Sequence, residues 1–183
     1  MKKAILITAA VLGVSILSFS ANESKETNSQ KIDLGNFYGI IVNANANVII
    51  EQSENHSIRI EGTPKQLKNV RTNINDGTLL IENEDALPVT IHIYADDLNL
   101  IEINKKAKAW VSGTLNTDIL LLKASEFGSI KADIRALKIG VIAKDHSKII
   151  VAGSCGDFFS RIYGNAHINT DNLDAFNTTN ESL

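Results

Sequence analysis

Cysteine is nearly missing from this 183-residue chain, and that absence sets the first limit. The single Cys155 cannot form an internal disulfide, so a stapled scaffold is excluded and stability has to come from packing and ladder hydrogen bonds. Proline occurs twice and helical periodicity hardly at all, which argues against a helical fold. Eighteen Lys and Arg stand against twenty-one Asp and Glu, and no run of cations appears along the chain. A mildly acidic chain without Lys/Arg clusters is a poor candidate for nucleic acid or an anionic membrane surface. The four histidines, His56, His92, His146 and His167, never fall at i, i+2 or i, i+4, and HExxH, GxSxG and GGxGxD are absent. No metal, cofactor or nucleophile elbow is expected.

Long hydrophobic runs are also absent beyond the first twenty residues. Lys2 and Lys3 precede an apolar stretch, Ala4 to Leu17, and Ser18-Phe19-Ser20 supplies small residues for cleavage. Residues 1–20 read as a cleaved secretory signal peptide, with a retained anchor as the alternative, since the apolar stretch is short for a membrane span. The polar stretch 21–30 reads as a flexible leader, 31–176 as a single domain, and 177–183 as a polar tail that blunts the last edge. The expected location is beyond the inner membrane, in the periplasm or at the cell surface, with no membrane insertion after cleavage.

What the chain does contain is a repeat of about 19–20 residues. Val111, Ile130, Ile150 and Ile168 mark one apolar column; Ile103, Leu122, Ile142 and Ile162 mark a second. A weaker third comprises Leu115, Ile134, Cys155 and Leu173, which makes Cys155 a small buried hydrophobe. Gly, Asn, Asp and Ser separate the apolar pairs, as corners require. At ~3.3 Å per residue, one repeat suffices for a three-sided coil that hydrogen-bonds to the next at ~4.8 Å. The expected fold is all-β, a right-handed parallel β-helix or β-solenoid with a less regular N-terminal β part.

That N-terminal part has its own signals. In Val89–Tyr94, Val89, Ile91 and Ile93 face a core while Thr90, His92 and Tyr94 face away. Asn75-Asp76-Gly77 predicts a tight hairpin turn, and Pro64 to Leu67 a brief helical turn. Val42, Ala44, Ala46 and Val48 alternate with Asn43, Asn45 and Asn47, an arrangement suited to side-chain ladders.

Several segments, FYGII (37–41), VIIEQ (48–52), IRIEG (58–62), LKNVRTNINDGTLLI (67–81), 89–94 and 98–103, together resemble one family. Over residues 32–173 the chain is similar to the putative auto-transporter adhesin head GIN domain of exported Bacteroidetes proteins. The resemblance implies a helix of parallel coils and brings no catalytic residues. Asn104-Lys105-Lys106-Ala107 departs from the Gly-Ser-Gly-like turn that the family often has there.

Candidate site residues follow from phase. Lys105, Glu126, Asp145 and His146 recur at similar positions of successive coils and predict one polar stripe. A polysaccharide-cleaving site would draw a base from Arg135 or Arg161 and a cation ligand from Asp133 or Asp145. Trp110 directly precedes Val111 and should point outward, where it, like Tyr94, can stack on a sugar ring. Phe158 and Phe159 are expected to fill the interior of the last coils. The functional expectation is a non-enzymatic, adhesin-like module with a face for a glycan or a surface protein. The alternatives are a small pectinase- or lyase-like β-helix enzyme and a purely structural envelope protein.

Overall fold

The computed structural model describes residues 27–85 and 87–182. The expected signal segment lies outside them. The fold is all-β, one twelve-stranded sheet, curled and open, with a single short helix. In chain order the elements are β1 (Asn28–Asp33), β2 (Gly39–Ala44), β3 (Ala46–Gln52), β4 (Ser57–Gly62), α1 (Pro64–Asn69), β5 (Arg71–Asn75), β6 (Thr78–Glu82), β7 (Val89–Ala95), β8 (Leu100–Lys105), β9 (Lys108–Ala124), β10 (Ser129–Ala143), β11 (Lys148–Ile162) and β12 (His167–Ser182).

Strands β9 to β12 pair in parallel, and each partner lies 19 to 21 residues further along the chain. Each strand runs as one piece of 15 to 17 residues instead of three short ones. It bends without losing its ladder because the register slips at bulges, between Lys131 and Asp133 and between Ile150 and Ala152. The interior columns follow the register: Ala109–Ile130–Ile149–Ile168 is one, and Ile101–Leu122–Val141–Ser160–Asn180 another. Stacking like on like across ~4.8 Å steps buries a continuous apolar strip, and Ile101, Leu122, Ile130, Val141 and Ile149 are all fully buried.

These columns differ in detail from the sequence reading: Ile101, Val141 and Ser160, not Ile103, Ile142 and Ile162, stack in register with Leu122. Val111 and Ile150 do not share Ile130's column: Ala109 and Ile149 do, and Ile150 faces outward. Gly153, not Cys155, stacks on Ile134, because a side chain at that site would collide with the neighbouring backbone. Cys155 lies two residues on, beside Ala136 and still buried, since a shift of two keeps the same face. Phe158 is buried as expected, but Phe159 alternates to the outer face, where the Arg161 guanidinium lies 5.2 Å from its ring.

The N-terminal part belongs to the same ladder. Strand β2 pairs with β8, and β3 with β9, so residues 39–52 form the turn beneath β8 and β9. Strands β6 and β7 lie beyond them, on β2 and β3 respectively, so spatial order reverses sequence order here. Antiparallel strands then close that end, β5 on β6, and β4 with β1 on β7. The hairpin at Asp76-Gly77 forms as read, with φ of 47° and 70°. Helix α1 forms where the brief turn was expected, held by a capping box between Thr63 and Gln66. The opposite end is bare: among the described residues β12 has β11 as its sole neighbour. Strand β1 takes in Asn28 to Gln30, read as leader, and β12 takes in residues 177–182, read as tail.

Candidate functional site

Lys105, Glu126, Asp145 and His146 of the expected polar stripe lie at one bend of the curled sheet. Lys105, Glu126 and Asp145 each adopt a positive φ, 57° to 61°, and Gly164 takes the same place one turn later at 65°. Left-handed backbone is what turns the chain here, so these residues share a phase for a conformational reason. The corners interlock: the Phe127 amide donates to the Lys105 carbonyl at 2.9 Å, and the His146 amide to the Glu126 carbonyl at 2.9 Å. The Asp145 carboxylate accepts from the Glu126 amide at 3.2 Å, and His146 stacks on Phe127 with centroids 5.4 Å apart. Those side chains are occupied in holding turns together.

The expected base Arg161 lies elsewhere. Arg161 sits on the outer face of β11 in a self-compensated charged row that runs Glu102, Lys123, Ile142, Arg161, Glu181. Lys123 pairs with Glu102 at 3.0 Å and Arg161 with Glu181 at 2.5 Å. The hydrogen bond to Glu181, then that to Tyr163, holds the Arg161 guanidinium above even its usual high pKa. Lys105 borders a separate recess with Arg71, Glu82 and Asp85, and Arg135 a shallow dish with Asp97 and Asp118. Lys105, Glu126, Asp145 and Arg161 therefore do not meet in one cleft. Among the described residues no three His, Cys, Asp or Glu side chains group as a metal site would need.

The aromatic candidates occupy a different face. Trp110 projects outward from β9, 40% exposed, as its place beside the buried Ala109 dictates. Its cross-strand neighbours are Ile49 on β3 and Lys131 on β10. Tyr94 points out of the same face two strands away, opposite Glu51 and Ser57. Beside Trp110 the two bulges open a groove of about 330 Å³ across β9 to β12, lined by Trp110, Lys131, Asp133, Ile150 and Asn172. Its floor is apolar and its rim carries a cation, an anion and an amide. The register stacks Lys108, Ser129 and Lys148 as the adjoining outward row. Lys108, Lys131 and Lys148 thus form a cluster invisible in the linear sequence, where they lie 23 and 17 residues apart. Knowledge of the register alone could have found it.

The Asn row of the sequence serves structure. Asn43 and Asn47 lie on different strands with the corner at Asn45 between them. Asn104 donates to Asn43 at 2.9 Å and accepts from Ser125 at 2.6 Å, a ladder from coil to coil.

A curled sheet of stacked parallel turns, with an aromatic groove on one outer face, defines a class of all-β scaffold that presents side chains on a repeating lattice. The chain belongs to the putative auto-transporter adhesin, head GIN domain family, which matches residues 36–182. No similar sequence was found among curated proteins. Among solved structures, a putative adhesin from Parabacteroides distasonis superimposes with a TM-score of 0.67 at 15% identity, over 87% of this chain and 79% of that one. A putative lipid binding protein from the same organism gives 0.68 at 12%, with the same two coverages. A putative adhesin from Bacteroides fragilis gives 0.54 at 13%, over 87% of this chain and 98% of its own. At such identities the likeness establishes the fold.

Proposed function

We infer that this protein is an exported, non-enzymatic, adhesin-like module that holds a glycan across the outer face centred on Trp110. The observation that carries this reading is the groove beside Trp110: a flat aromatic ring, an apolar floor and polar groups at the rim are the elements that sugar rings require. Tyr94 extends the same face. Winding of the sheet as a right-handed β-solenoid is supported by the constant 19- to 21-residue register step. The basic, apolar, small-residue pattern of residues 1–20 supports export by a cleaved signal, leaving one domain from residue 31 onward. Family membership and neighbours described as adhesins favour binding over catalysis. So does the position of Arg161, which pairs with Glu181 in a different row from the corner that holds Lys105, Glu126 and Asp145, since groups that do not meet cannot share a proton transfer.

The test is retention of the purified exported chain on an array of microbial and host polysaccharides, with reducing ends assayed in parallel. The expected result is retention without new reducing ends, weakened about tenfold by Trp110→Ala, the loss of one ring-stacking contact and its buried area. Unchanged retention in Trp110→Ala, or release of cut polymer, refutes it.

A further inference from the structure

Charge on the outer surface is unevenly compensated. On the face of β8 and the second halves of β9 to β12, cations and anions alternate across the ladder and close as Lys123–Glu102 and Arg161–Glu181. Lys138 at the next corner pairs with Asp157. On the Trp110 face, Lys108, Lys131 and Lys148 are all exposed, and none makes an ion pair or side-chain hydrogen bond among the described residues. Acidic groups on or beside this face are Asp133 beyond the bulge, Glu51 on β3, Asp171 on β12, and the corner residues Glu126 and Asp145. Asp145 already accepts from a backbone amide and Asp171 from the Asn169 amide, and none of the five pairs with these lysines. An overall acidic chain has therefore gathered three unpaired cations around its one tryptophan.

Resting on the glycan-binding reading above, we propose that the ligand is an acidic polysaccharide, uronate- or sulfate-bearing, whose anionic groups are held by Lys108, Lys131 and Lys148 while one sugar ring stacks on Trp110. The geometry follows from the register. Lys131 is one strand across and two residues along from both Lys108 and Lys148, so ladder spacings place it ~8 Å from each, with ~10 Å between the outer two. Trp110 lies beside Lys131 across one ladder step and on the same strand as Lys108. The cations thus advance along the stacking direction, as an extended charged polymer laid across the strands would need. A neutral sugar has no use for three desolvatable ammonium groups, whereas carboxylate or sulfate gains charge-assisted hydrogen bonds from each. A lipid surface fits this face less well, because the two most exposed large apolar side chains, Phe176 at 89% and Leu137 at 65%, lie elsewhere.

The experiment compares a polyuronate with the same polymer after carboxyl reduction, which removes the charge and keeps the linkage, using the exported chain in affinity electrophoresis. Anionic vesicles without polysaccharide form a third arm. The expected result is retention by the polyuronate, loss of most of it on the reduced polymer, and weakening as salt rises. Lys131→Gln and Lys148→Gln should each weaken binding about two- to fivefold, and Lys108→Gln/Lys131→Gln/Lys148→Gln about tenfold or more. Lys138→Gln, a cation on another face, should leave binding unchanged. Equal retention by acidic and reduced polymers, still lost in Trp110→Ala, overturns the acidic ligand and leaves the glycan reading standing. Retention by neither polymer overturns both, and capture by vesicles alone would reassign the cluster to lipid headgroups. Exposed Lys→Gln changes fold as the parent does, and coincident thermal unfolding of each variant checks that.

Discussion

Gly153 offers the sharpest test of how β10 and β11 stack. It lies mid-ladder on β11 with φ at +107°, and a Cβ built there would fall 2.0 Å from the Ile134 carbonyl oxygen and 2.8 Å from that residue's carbonyl carbon and amide nitrogen. The obstruction is backbone, so it cannot swing aside as a side-chain tip could. Gly153→Ala therefore incurs two separate costs. An L residue at such φ costs about 1–3 kcal/mol, offset by about 0.4–1 kcal/mol from a stiffer unfolded chain. Moving β10 and β11 apart locally then sacrifices one or two ladder hydrogen bonds at about 1 kcal/mol each, and loosens the columns packed beneath. The sum is about 3 kcal/mol. Gly113→Ala is the matched control: φ is +78° and nothing lies within 4 Å of its Cβ, so only the conformational cost of about 1 kcal/mol remains. Urea unfolding followed by far-UV circular dichroism reads the difference. With m near 2 kcal/mol/M, about the middle of the usual range, Gly153→Ala should lower the midpoint by roughly 1.5 M and Gly113→Ala by roughly 0.5 M. Equal shifts would mean that β10 and β11 do not approach each other at Gly153, and the register assigned to them would be wrong.

Two further outcomes are expected. Leu122→Ala, in the fully buried column between Ile101 and Val141, should cost about 2–5 kcal/mol, while Ile119→Ala, 57% exposed on the same strand, should stay within about 0.5 kcal/mol. Comparable losses in urea unfolding would contradict the assignment of inner and outer faces on β9. The Cys155 thiol is pushed up by burial first, then by the Asp157 and Asp174 carboxylates. At pH 8 it should alkylate more slowly in the folded protein than in urea, because less of it is thiolate. By linkage, the folded state favours the neutral thiol, so its contribution is complete below the unfolded thiol's pKa and fades as pH rises through the folded value. Equal alkylation rates in folded and unfolded protein would remove that environment.

The sequence carried the all-β class, the 19- to 20-residue step and the hairpin at Asp76-Gly77, because each depends on neighbours in the chain. Trp110 points outward as expected, although the buried neighbour that sets its direction is Ala109 and not the Val111 from which the direction was argued. What it could not carry was exact register. Val111 for Ala109, Ile150 for Ile149 and Cys155 for Gly153 are errors of one or two residues, and bulges that insert residues unequally cause them. Those bulges also build the groove, so the feature that blurred the repeat is the one that shaped the candidate site. The lysine cluster was illegible for a related reason: Lys108, Lys131 and Lys148 become neighbours only once three coils are laid in register. The exchanged order of β2–β3 and β6–β7 had no local signature, because both segments alternate in the same way.

The two ends of the ladder differ, and the difference bears on how such proteins change over evolutionary time. Antiparallel strands β1, β4 and β5 reverse the chain direction at one end, where another parallel turn has nothing to register against. At the other end one inner column passes from Leu122 and Val141 to Ser160 and Asn180, whose side chains bond each other at 2.6 Å, while its neighbour stays apolar to Ile168. Lengthening is therefore easiest by duplication of a middle turn, copied whole and slipped between β9 and β11. Each copy would add ~4.8 Å and one more outward row while leaving the antiparallel end and the β12 edge as they are. Reach along a bound chain would then be inherited in whole-number steps, like rungs added to the middle of a ladder.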